Sequence, residues 1–494
     1  MRVEVLPEPD LEFGAGTHID IRYGLRDYGP IGFDKPTTAK TINVGFVGSA
    51  STVYGVREWM VAARNGIPEK PSRKPKFRPA FPGFGAASPF RCEWVTEPRY
   101  ERTIESRKLE AALAKGSRNE AIQEAVSLFL EECLYLDSST NVDVIICAPP
   151  SELLGKLDAW NSRIREGTGR RFSNARSKSL YASGRDQMLD YEYDLHDLLK
   201  AKCLSLRRPI QFVRPPTFGE SSKSASVRGR PKGIQDAATR AWNFHTALYY
   251  KAGGTPWRLL RRTSDLESCY VGVSFFRSID KLHIHTSVAQ VFNERGEGMI
   301  LRGGEARMSK DDFQPHLSEE DMKVLLITAL GAFEKEHHHL PARIVVHKTS
   351  GYSSEELKGC EVALQELHVR HRDLLVVRGT RVKLFRNGTY PPLRGTFVQL
   401  DEQHSILYSR GSVPFFEMYP GLYVPQALEI QTVASDESPK VLAQEILALT
   451  KMNWNNTQFD SSLPITIKAA RQVGNILRYT SGDQSIQTRY AFFM

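Results

Sequence analysis

The chain has 494 residues, which is too long for one hydrophobic core, so we expect two or three domains. Lys and Arg number 66 against 57 Asp and Glu, and the excess is concentrated in particular loops, which favours a polyanionic partner. The six cysteines form no C-x-x-C pair, which argues against a zinc or disulfide framework. No apolar run approaches the ~20 residues of a membrane span, and the first residues lack a signal-peptide core, so we expect a soluble cytoplasmic protein.

The first part of the chain predicts a lead-in segment followed by a parallel sheet. Residues 1–40 are rich in Gly, Pro and Asp and show little periodicity. Short apolar runs at 42–47, 142–148 and 210–213 then alternate with helical patterns, the clearest of which covers 118–135. This alternation predicts a Rossmann-like domain over 41–266.

Three irregular stretches interrupt this first domain. Residues 67–90 are rich in Pro, Lys and Arg and too proline-dense for regular structure. The connections 161–187 and 214–233 are basic and polar. Such runs are commonly solvated loops, but both connections flank the cluster of polar residues described below, and a role in binding a nucleic-acid backbone is the alternative.

The remaining residues, 267–494, predict a second α/β domain. Strand patterns at 270–276, 281–292 and 298–305 form an antiparallel meander. Strand and helix patterns alternate after it, with helices expected at 318–336, 354–367, 439–453 and 464–478 and hairpin-like strands at 381–410. A meander followed by β-α-β units is the order of a ribonuclease H-like fold.

One group of polar residues has the spacing of a phosphate site. If 194–204 is a helix, His196 and Lys200 project from one face, because they are four residues apart. A second helix, expected to start near residue 234, places Asn243 and Lys251 two turns apart, and Gln211 lies on the strand between the two helices. These side chains could close on a terminal phosphate. The same spacing also fits solvent-facing polar residues on two amphipathic helices.

Several motifs in a fixed order resemble one family over nearly the whole chain. They are R-Y-G-L-R-D-Y-G-P at 22–30, H-D-L-L-K at 196–200, Y-Y-K-A-G-G-T-P-W at 249–257, R-I-V-V-H-K-T-S-G at 343–351 and P-I-T-I-K-A-A-R-Q-V-G-N-I-L at 464–477. With these motifs the sequence resembles the short prokaryotic Argonautes, which consist of MID and PIWI domains only. The resemblance implies a Rossmann-like MID domain at 41–266 and a ribonuclease H-like PIWI domain at 267–494.

The resemblance also assigns the polar group to the 5′ phosphate of a guide strand. The residues that match the family's pocket are His196, Lys200, Gln211, Asn243 and Lys251. Ala247 stands where many relatives carry a further lysine, so the positive charge is reduced. The family pattern then implies a Mg²⁺ ion that binds with the guide 5′ end and is held by Gln211 and by the C-terminal carboxylate, here that of Met494.

The catalytic carboxylates of the family's PIWI domain are missing from this sequence. Ser274 stands at the first aspartate position and Lys348 at the second, and residues 469–471 supply no acid at the closing position. Two-metal cleavage needs carboxylates at close range, and a lysine places a cation where Mg²⁺ would bind. Glu305 is the one acid that could mimic a ligand, and we expect it to be an ordinary loop residue. No catalytic residue and no enzyme activity are predicted for this chain.

The resemblance implies a recognition subunit of a bacterial defence system. A small guide RNA would pair with invading single-stranded DNA, and the chain would activate a partner with an APAZ domain fused to a TIR or Sir2 NAD-consuming module or to a nuclease. The outcome would be NAD depletion and abortive infection, with a higher oligomer possible on activation. Two alternatives stay open: a guide-dependent nuclease with an unusual metal site that involves Glu305, and a generic single-strand nucleic-acid binder.

Overall fold

The computed structural model describes residues 1–32, 40–167, 193–219, 226–227, 230–231, 235–260, 266–292, 298–385, 392–417, 419, 425–458, 461–480 and 486–494. For 161–167, 226–227, 230–231 and 287–292 it describes the main chain alone. The two basic connections predicted at 161–187 and 214–233 lie largely outside the described residues.

The described residues form strands and helices in mixed order. The strands are β1 (Arg2–Val5), β2 (Leu11–Phe13), β3 (Gly16–His18), β4 (Lys40–Gly48), β5 (Cys92–Val95), β6 (Glu101–Thr103), β7 (Val144–Ala148), β8 (Ile210–Phe212), β9 (Ser226–Val227), β10 (Arg230–Pro231), β11 (Arg258–Leu259), β12 (Ser268–Arg277), β13 (Ile284–Phe292), β14 (Gly298–Met308), β15 (Pro315–His316), β16 (Arg343–Lys348), β17 (His371–Gly379), β18 (Thr396–Gln399), β19 (His404–Leu407) and β20 (Leu428–Ser435). The helices are α1 (Ile21–Tyr28), α2 (Ala50–Ala63), α3 (Ser106–Leu113), α4 (Arg118–Ser139), α5 (Ser151–Gly167), α6 (Leu195–Lys202), α7 (Ala237–Lys251), α8 (Glu319–His337), α9 (Ser354–Glu366), α10 (Pro439–Leu449) and α11 (Ile465–Leu477).

The first half of the chain contains a parallel sheet. Its strand order is β5-β4-β7-β8, with β6 also paired to β4, and every pair is parallel. Strand β7 and the second half of β4 are apolar and buried. Helices α2 and α4 begin at the serine caps Ser49 and Ser117, whose side chains accept main-chain hydrogen bonds, and both pack against the sheet. The predicted Rossmann-like sheet is confirmed.

The second half of the chain is built on a ten-stranded sheet. Its order is β1-β18-β19-β20-β17-β16-β12-β13-β14-β15. Strands β12, β16 and β17 are parallel neighbours, whereas β12, β13 and β14 form the antiparallel meander. Helices α8 and α9 pack on each other, and α11 packs against β12 and β13. The predicted ribonuclease H-like order is confirmed.

The lead-in segment is more regular than its sequence pattern predicts. Strand β1 pairs with β18 at one end of the ten-stranded sheet, and β2 and β3 form a small antiparallel sheet with β11. Strands β1 and β2 pair with strands hundreds of residues away, which local periodicity cannot reveal. Strand β20 and helix α5 are also absent from the sequence predictions. Helix α7 begins at Ala237, after its cap Asp236, rather than near residue 234.

The two halves share one apolar core. A single cluster of buried side chains includes Ile42 and Trp242 from the first half and Leu447 and Ile467 from the second. Residues 490–494 end in this core, and Met494 itself is buried. The last residues of the sequence therefore pack with buried side chains of both halves. In the described part of the chain, no helix is both long and apolar enough to cross a bilayer.

Candidate functional site

Helix α6 positions the first two residues of the predicted phosphate group. It begins at Asp194, whose side chain accepts a hydrogen bond from the main-chain nitrogen of Asp197. Leu198 and Leu199 are buried on the inner face of the helix. This burial fixes the rotation of the helix, so Lys200 points into the protein and His196 stays near the surface.

Two lysines converge on the last residue of the sequence. The Nζ atom of Lys200 donates hydrogen bonds to the main-chain oxygens of Ile210 (2.7 Å), Phe492 (3.4 Å) and Met494. The Nζ atom of Lys251 donates to the Ile210 oxygen (3.0 Å), to Gln211 Oε1 (2.5 Å) and to the Met494 oxygen (2.9 Å). The structure therefore brings together Lys200, Gln211, Lys251 and Met494, although Met494 lies far from the other three in the sequence.

Burial makes both ammonium groups costly to keep charged. Lys200 and Lys251 are 1% and 3% exposed. Burial lowers the pKa of Lys200 to about 8. Burial also lowers the pKa of Lys251 well below its ordinary value, and the neighbouring Lys200 ammonium lowers it further.

The site is short of negative charge. Among the described residues, no Asp or Glu side chain forms an ion pair with Lys200 or Lys251, and their acceptors are main-chain oxygens and an amide. Even a terminal carboxylate on Met494 would set one negative charge against two ammonium groups. Buried charges are stable in proteins when they are paired. The arrangement can therefore gain free energy by accepting an anion.

His196 lies at the outer side of the same helix. Its imidazole is about one third exposed, its Nδ1 lies 2.7 Å from Asp197 Oδ1, and its ring meets Phe212 edge to face. Asp194, His196 and Asp197 place possible metal-ligand atoms within 4.8 Å of one another. The two carboxylates beside His196 were not anticipated, although the D-L-H-D sequence could have indicated them.

Asn243 is held away from the lysines. Its Oδ1 accepts hydrogen bonds from the main-chain nitrogen and the hydroxyl of Thr457, both 2.9 Å long, and its Nδ2 donates to Gln235. It lies two turns before Lys251 on α7, so it joins this helix to the turn that precedes α11. Ala247, between the two, is buried and brings no charge to the site.

The oxygens predicted to hold Mg²⁺ already accept hydrogen bonds from a lysine. Both Gln211 Oε1 and the Met494 oxygen bind the Nζ atom of Lys251. They are the oxygen donors that Mg²⁺ prefers, but an ammonium within hydrogen-bond distance would repel the ion. These residues alone therefore do not fit Mg²⁺, and further anionic oxygens would be needed.

The positions that match the family's catalytic aspartates lie on the neighbouring strands β12 and β16 in the middle of the ten-stranded sheet. Val273, directly before Ser274 on β12, is in register with Lys348 on the parallel strand β16. Both Ser274 and Lys348 are fully buried. The Ser274 hydroxyl has no hydrogen-bond partner among the described residues.

Lys348 is paired inside the protein. Its Nζ atom lies 2.7 Å from the carboxylate of Glu356, which is fully buried, and 2.5 Å from the Gly351 oxygen. Burial lowers the pKa of Lys348, and the Glu356 carboxylate acts against that shift. The same carboxylate accepts main-chain hydrogen bonds from Leu317 and Ser353. Charge at this position is therefore balanced within the chain.

Glu305 is a strand residue, and the expectation that it lies in a loop is wrong. It sits on β14 in register with His285 of β13, and its side chain bonds to Nδ1 of His283 at 2.7 Å. Both partners of this pair are at least half exposed. The His283 side chain lowers the pKa of Glu305, and Glu305 raises that of His283.

A polar cavity of about 250 Å³ lies beside the turn that Asn243 holds. It is lined by Arg410, Asn453, Asn456, Gln458, Ser461, Ser462 and Lys468, among others. Lys451 also lines the cavity but pairs with Glu8; Arg410, Lys468 and several amide and hydroxyl groups suit a phosphodiester backbone. The motif match at 464–477 indicated this region, but the residues before Pro464 carried no signal of their own.

The chain is similar in structure to several Argonaute proteins. It matches Clostridium butyricum Argonaute, bound to a guide DNA and a 19-mer target DNA, with a TM-score of 0.59 and 14% identity over 97% of this chain and 53% of that one. It matches Aquifex aeolicus Argonaute with a TM-score of 0.56 and 14% identity, over 100% and 57% of the two chains. For Marinitoga piezophila Argonaute, in complex with a 5′ OH guide RNA, the TM-score is 0.56 at 10% identity, over 96% and 59%.

The chain therefore has an Argonaute-like α/β fold, with a Rossmann-like MID half followed by a ribonuclease H-like PIWI half. It spans little more than half the length of these structures. No family model matches the sequence, and no curated protein matches it either.

Proposed function

We propose that the chain binds the 5′ phosphate of a small guide strand, with RNA as the expected guide. The observation that carries this proposal is the convergence of two buried lysines on one point, where no carboxylate side chain of the residues with described positions balances them. A 5′ phosphate at pH 7 supplies nearly two negative charges and three strong acceptor oxygens. Lys200, Gln211 and Lys251 would bind it, with His196 at the entrance.

The guide backbone would continue from this site toward the polar cavity. Asn243 and Thr457 link α7, which carries Lys251, to the turn that lines the cavity with Asn453 and Asn456. Arg410 and Lys468 would provide the positive charge there. Base pairing would then supply the sequence specificity, while the protein reads the backbone and the shape of the strand.

We propose that this chain does not cleave its target. At the positions where two metal ions would need carboxylates, the chain has the buried serine Ser274 and the Lys348–Glu356 pair. Output would therefore come from a partner with an APAZ domain that carries a TIR or Sir2 NAD-consuming module, or a nuclease. In the cytoplasm of a bacterium, its activation by invader DNA would cause abortive infection.

Mg²⁺ belongs to this proposal as an ion that enters with the guide. The phosphate would supply further anionic oxygens beside those of Gln211 and Met494, which accept hydrogen bonds from Lys251. Binding of a 5′-phosphorylated guide should then be tighter with Mg²⁺ than with a chelator, whereas binding of a 5′-hydroxyl guide should be unchanged. If Mg²⁺ changes the affinity for both guides equally, the ion does not bind at this site together with the 5′ phosphate.

Target capture tests the proposed function as a whole. The protein is loaded with a guide RNA that carries either a 5′ phosphate or a 5′ hydroxyl and is then offered complementary or scrambled single-stranded DNA. We expect stable capture of the complementary DNA with the phosphorylated guide, and intact DNA in both Mg²⁺ and Mn²⁺. Capture that ignores the guide sequence would favour a generic single-strand binder, and cleavage that is lost on Glu305→Gln would favour the nuclease alternative.

A further inference from the structure

Strand β1 forms one edge of the ten-stranded sheet. It pairs with β18 and, among the described residues, with no other strand. A strand at the edge of a sheet presents main-chain donors and acceptors on its open side and can pair with a further strand. The residues of β1 therefore decide which strand this edge can accept.

A hydrogen bond next to β1 shows which of its residues face the open side. Leu6, directly after β1, donates its main-chain N–H to the Gly395 oxygen at 2.8 Å, and Gly395 directly precedes β18. Because the main-chain groups of successive residues alternate between the two sides of a strand, Glu4 also bonds toward β18. Val3 and Val5 therefore direct their N–H and C=O groups to the open side.

The apolar side chains of β1 extend a small cluster on one face of the sheet. Val3 is in register with Val398, which is in register with Ile406 on β19, and both of these partners are buried. The two partners belong to one cluster, against which Leu384 packs. Val3 and Val5 lie at the outer side of this row and remain more than half exposed. A further strand beside β1 would cover them.

The polar side chains of β1 lie on the other face and carry opposite charges. Arg2 is exposed, and its guanidinium lies 3.8 Å from the carboxylate of Glu4. Glu4 also binds Lys440 of α10 at 2.7 Å. The sequence of residues 1–5 is M-R-V-E-V, so a base and an acid stand at equal distances on either side of Val3.

An antiparallel second copy of β1 complements both faces of the strand. With Val3 opposite Val3 of the second copy, Arg2 of each copy lies directly opposite Glu4 of the other, and Met1 lies opposite Val5. Opposite charges at such positions stabilise a strand pair, whereas like charges destabilise it. The main-chain groups of Val3 and Val5, which face the open side, would form the hydrogen bonds. A parallel copy in the same register would instead place like charges side by side.

We propose that β1 is the interface of a homodimer, in which two copies pair antiparallel about Val3 and join their sheets. Each copy contributes the same strand, so the contact is self-complementary and closes at two chains. A strand of four residues buries little surface, so the dimer belongs to the weak class of interfaces and forms with rising protein concentration. The interface does not include the lysine site and is independent of guide binding.

Charge reversal tests the register of this pair. Sedimentation equilibrium of the full chain without guide should show a monomer–dimer equilibrium. Arg2→Glu and Glu4→Arg each place like charges opposite one another, so each variant alone should dimerise about tenfold more weakly or worse. An equimolar mixture of the two variants sets acid against base at both positions and should recover the dimer. The control Arg107→Glu, exposed on α3, reverses a charge elsewhere and should dimerise as the wild type does.

A proline at the centre of β1 tests the main-chain pairing. Val3→Pro removes an N–H group that faces the open side and keeps the bonds to β18, so the dimer should be lost at an unchanged melting temperature. A wild type that stays monomeric throughout the concentration series would overturn the proposal. A dimer that survives Val3→Pro would also overturn it, as would a mixture of the two charge variants that associates no more tightly than either variant alone.

Discussion

Two of the places where the described residues bury lysines differ in the charge that surrounds the ammonium groups; Lys451, paired with Glu8 at 2.6 Å, is a third buried lysine. In the MID half, Lys200 and Lys251 face main-chain oxygens, the amide of Gln211 and the last residue of the sequence. In the PIWI half, Lys348 faces the carboxylate of Glu356 at 2.7 Å. Burial is equally deep in both, so burial alone does not mark a binding site. At the first place no Asp or Glu side chain among the described residues balances the two lysines, so the site can bind an anion, while the second place already holds a carboxylate beside its lysine.

Removing the charge of both MID lysines should have the largest effect. Methionine keeps much of the volume of lysine, so Lys200→Met with Lys251→Met should fold. A hydrogen bond to a charged group contributes about 1.5–3 kcal/mol, so we expect affinity for a 5′-phosphorylated guide to fall by about 100-fold or more. Affinity for a 5′-hydroxyl guide should stay constant. Lys202→Met, at an exposed position of the same helix, is the control and should bind both guides as before.

Breaking the PIWI pair should cost stability instead of affinity. Lys348→Met removes the ammonium from the buried Glu356 carboxylate and leaves it His316, whose Nδ1 lies 3.0 Å away, so we expect a loss of up to about 3–5 kcal/mol of unfolding free energy. Chemical denaturation measures this loss, and Lys348→Met with Glu356→Gln should recover part of it. The preference for a 5′ phosphate should be unchanged in both variants. Loss of that preference would contradict the division of roles between the two places.

His196 should make a smaller contribution than the lysines. Its imidazole is partly exposed and shares Nδ1 with Asp197, so solvent and this carboxylate weaken its hold on a phosphate. We expect His196→Ala to weaken binding of a phosphorylated guide by about fivefold. Asp197→Asn would sharpen the result, since removing the competing carboxylate should tighten binding. Weaker binding of that variant would instead favour a cation held by Asp194, His196 and Asp197.

The smallest effect concerns stability at alkaline pH. Lys200 ionises near 10.5 in an unfolded chain and near 8 in the folded protein. Between these values the unfolded chain binds more protons, so the contribution of Lys200 to stability rises as pH increases from about 8 toward 10.5. Melting curves without guide should show wild type gaining about 2 °C or less relative to Lys200→Met over this range. If the difference in melting temperature between the two proteins does not change with pH, burial does not lower the pKa of Lys200 in the folded protein.

The sequence predicted the elements with strong local patterns. Strand β4, helix α4 and the meander β12 to β14 are apolar at regular spacing, and the structure confirms them close to their predicted limits. The convergence of Lys200 with Gln211 and Lys251 was also within reach, because helical spacing and motif order constrain these residues. The hydrogen bonds from Lys200 and Lys251 to Met494, which lies 243 residues beyond Lys251, could be expected only from the resemblance.

Other features depend on contacts that no local pattern encodes. Strand β1 pairs with β18, and Asn243 accepts a hydrogen bond from Thr457 instead of contacting the lysines. The Lys348–Glu356 pair requires the turn after β16 to bring α9 back to the strand end. The sequence showed that a carboxylate was missing at Lys348, but not that another carboxylate neutralises the lysine.

Proton uptake on guide binding tests the central claim most directly. At pH 8 a 5′ phosphate is already a dianion, since its second pKa is near ~6. Lys200, with a pKa of about 8, and Lys251, whose pKa burial holds well below its ordinary value, should therefore take up protons when the phosphate binds. Calorimetry in buffers of different ionisation enthalpy should show net uptake for a 5′-phosphorylated guide and none for the same guide with a 5′ hydroxyl. Equal proton uptake for the two guides would contradict the assignment of the lysine site to the guide phosphate.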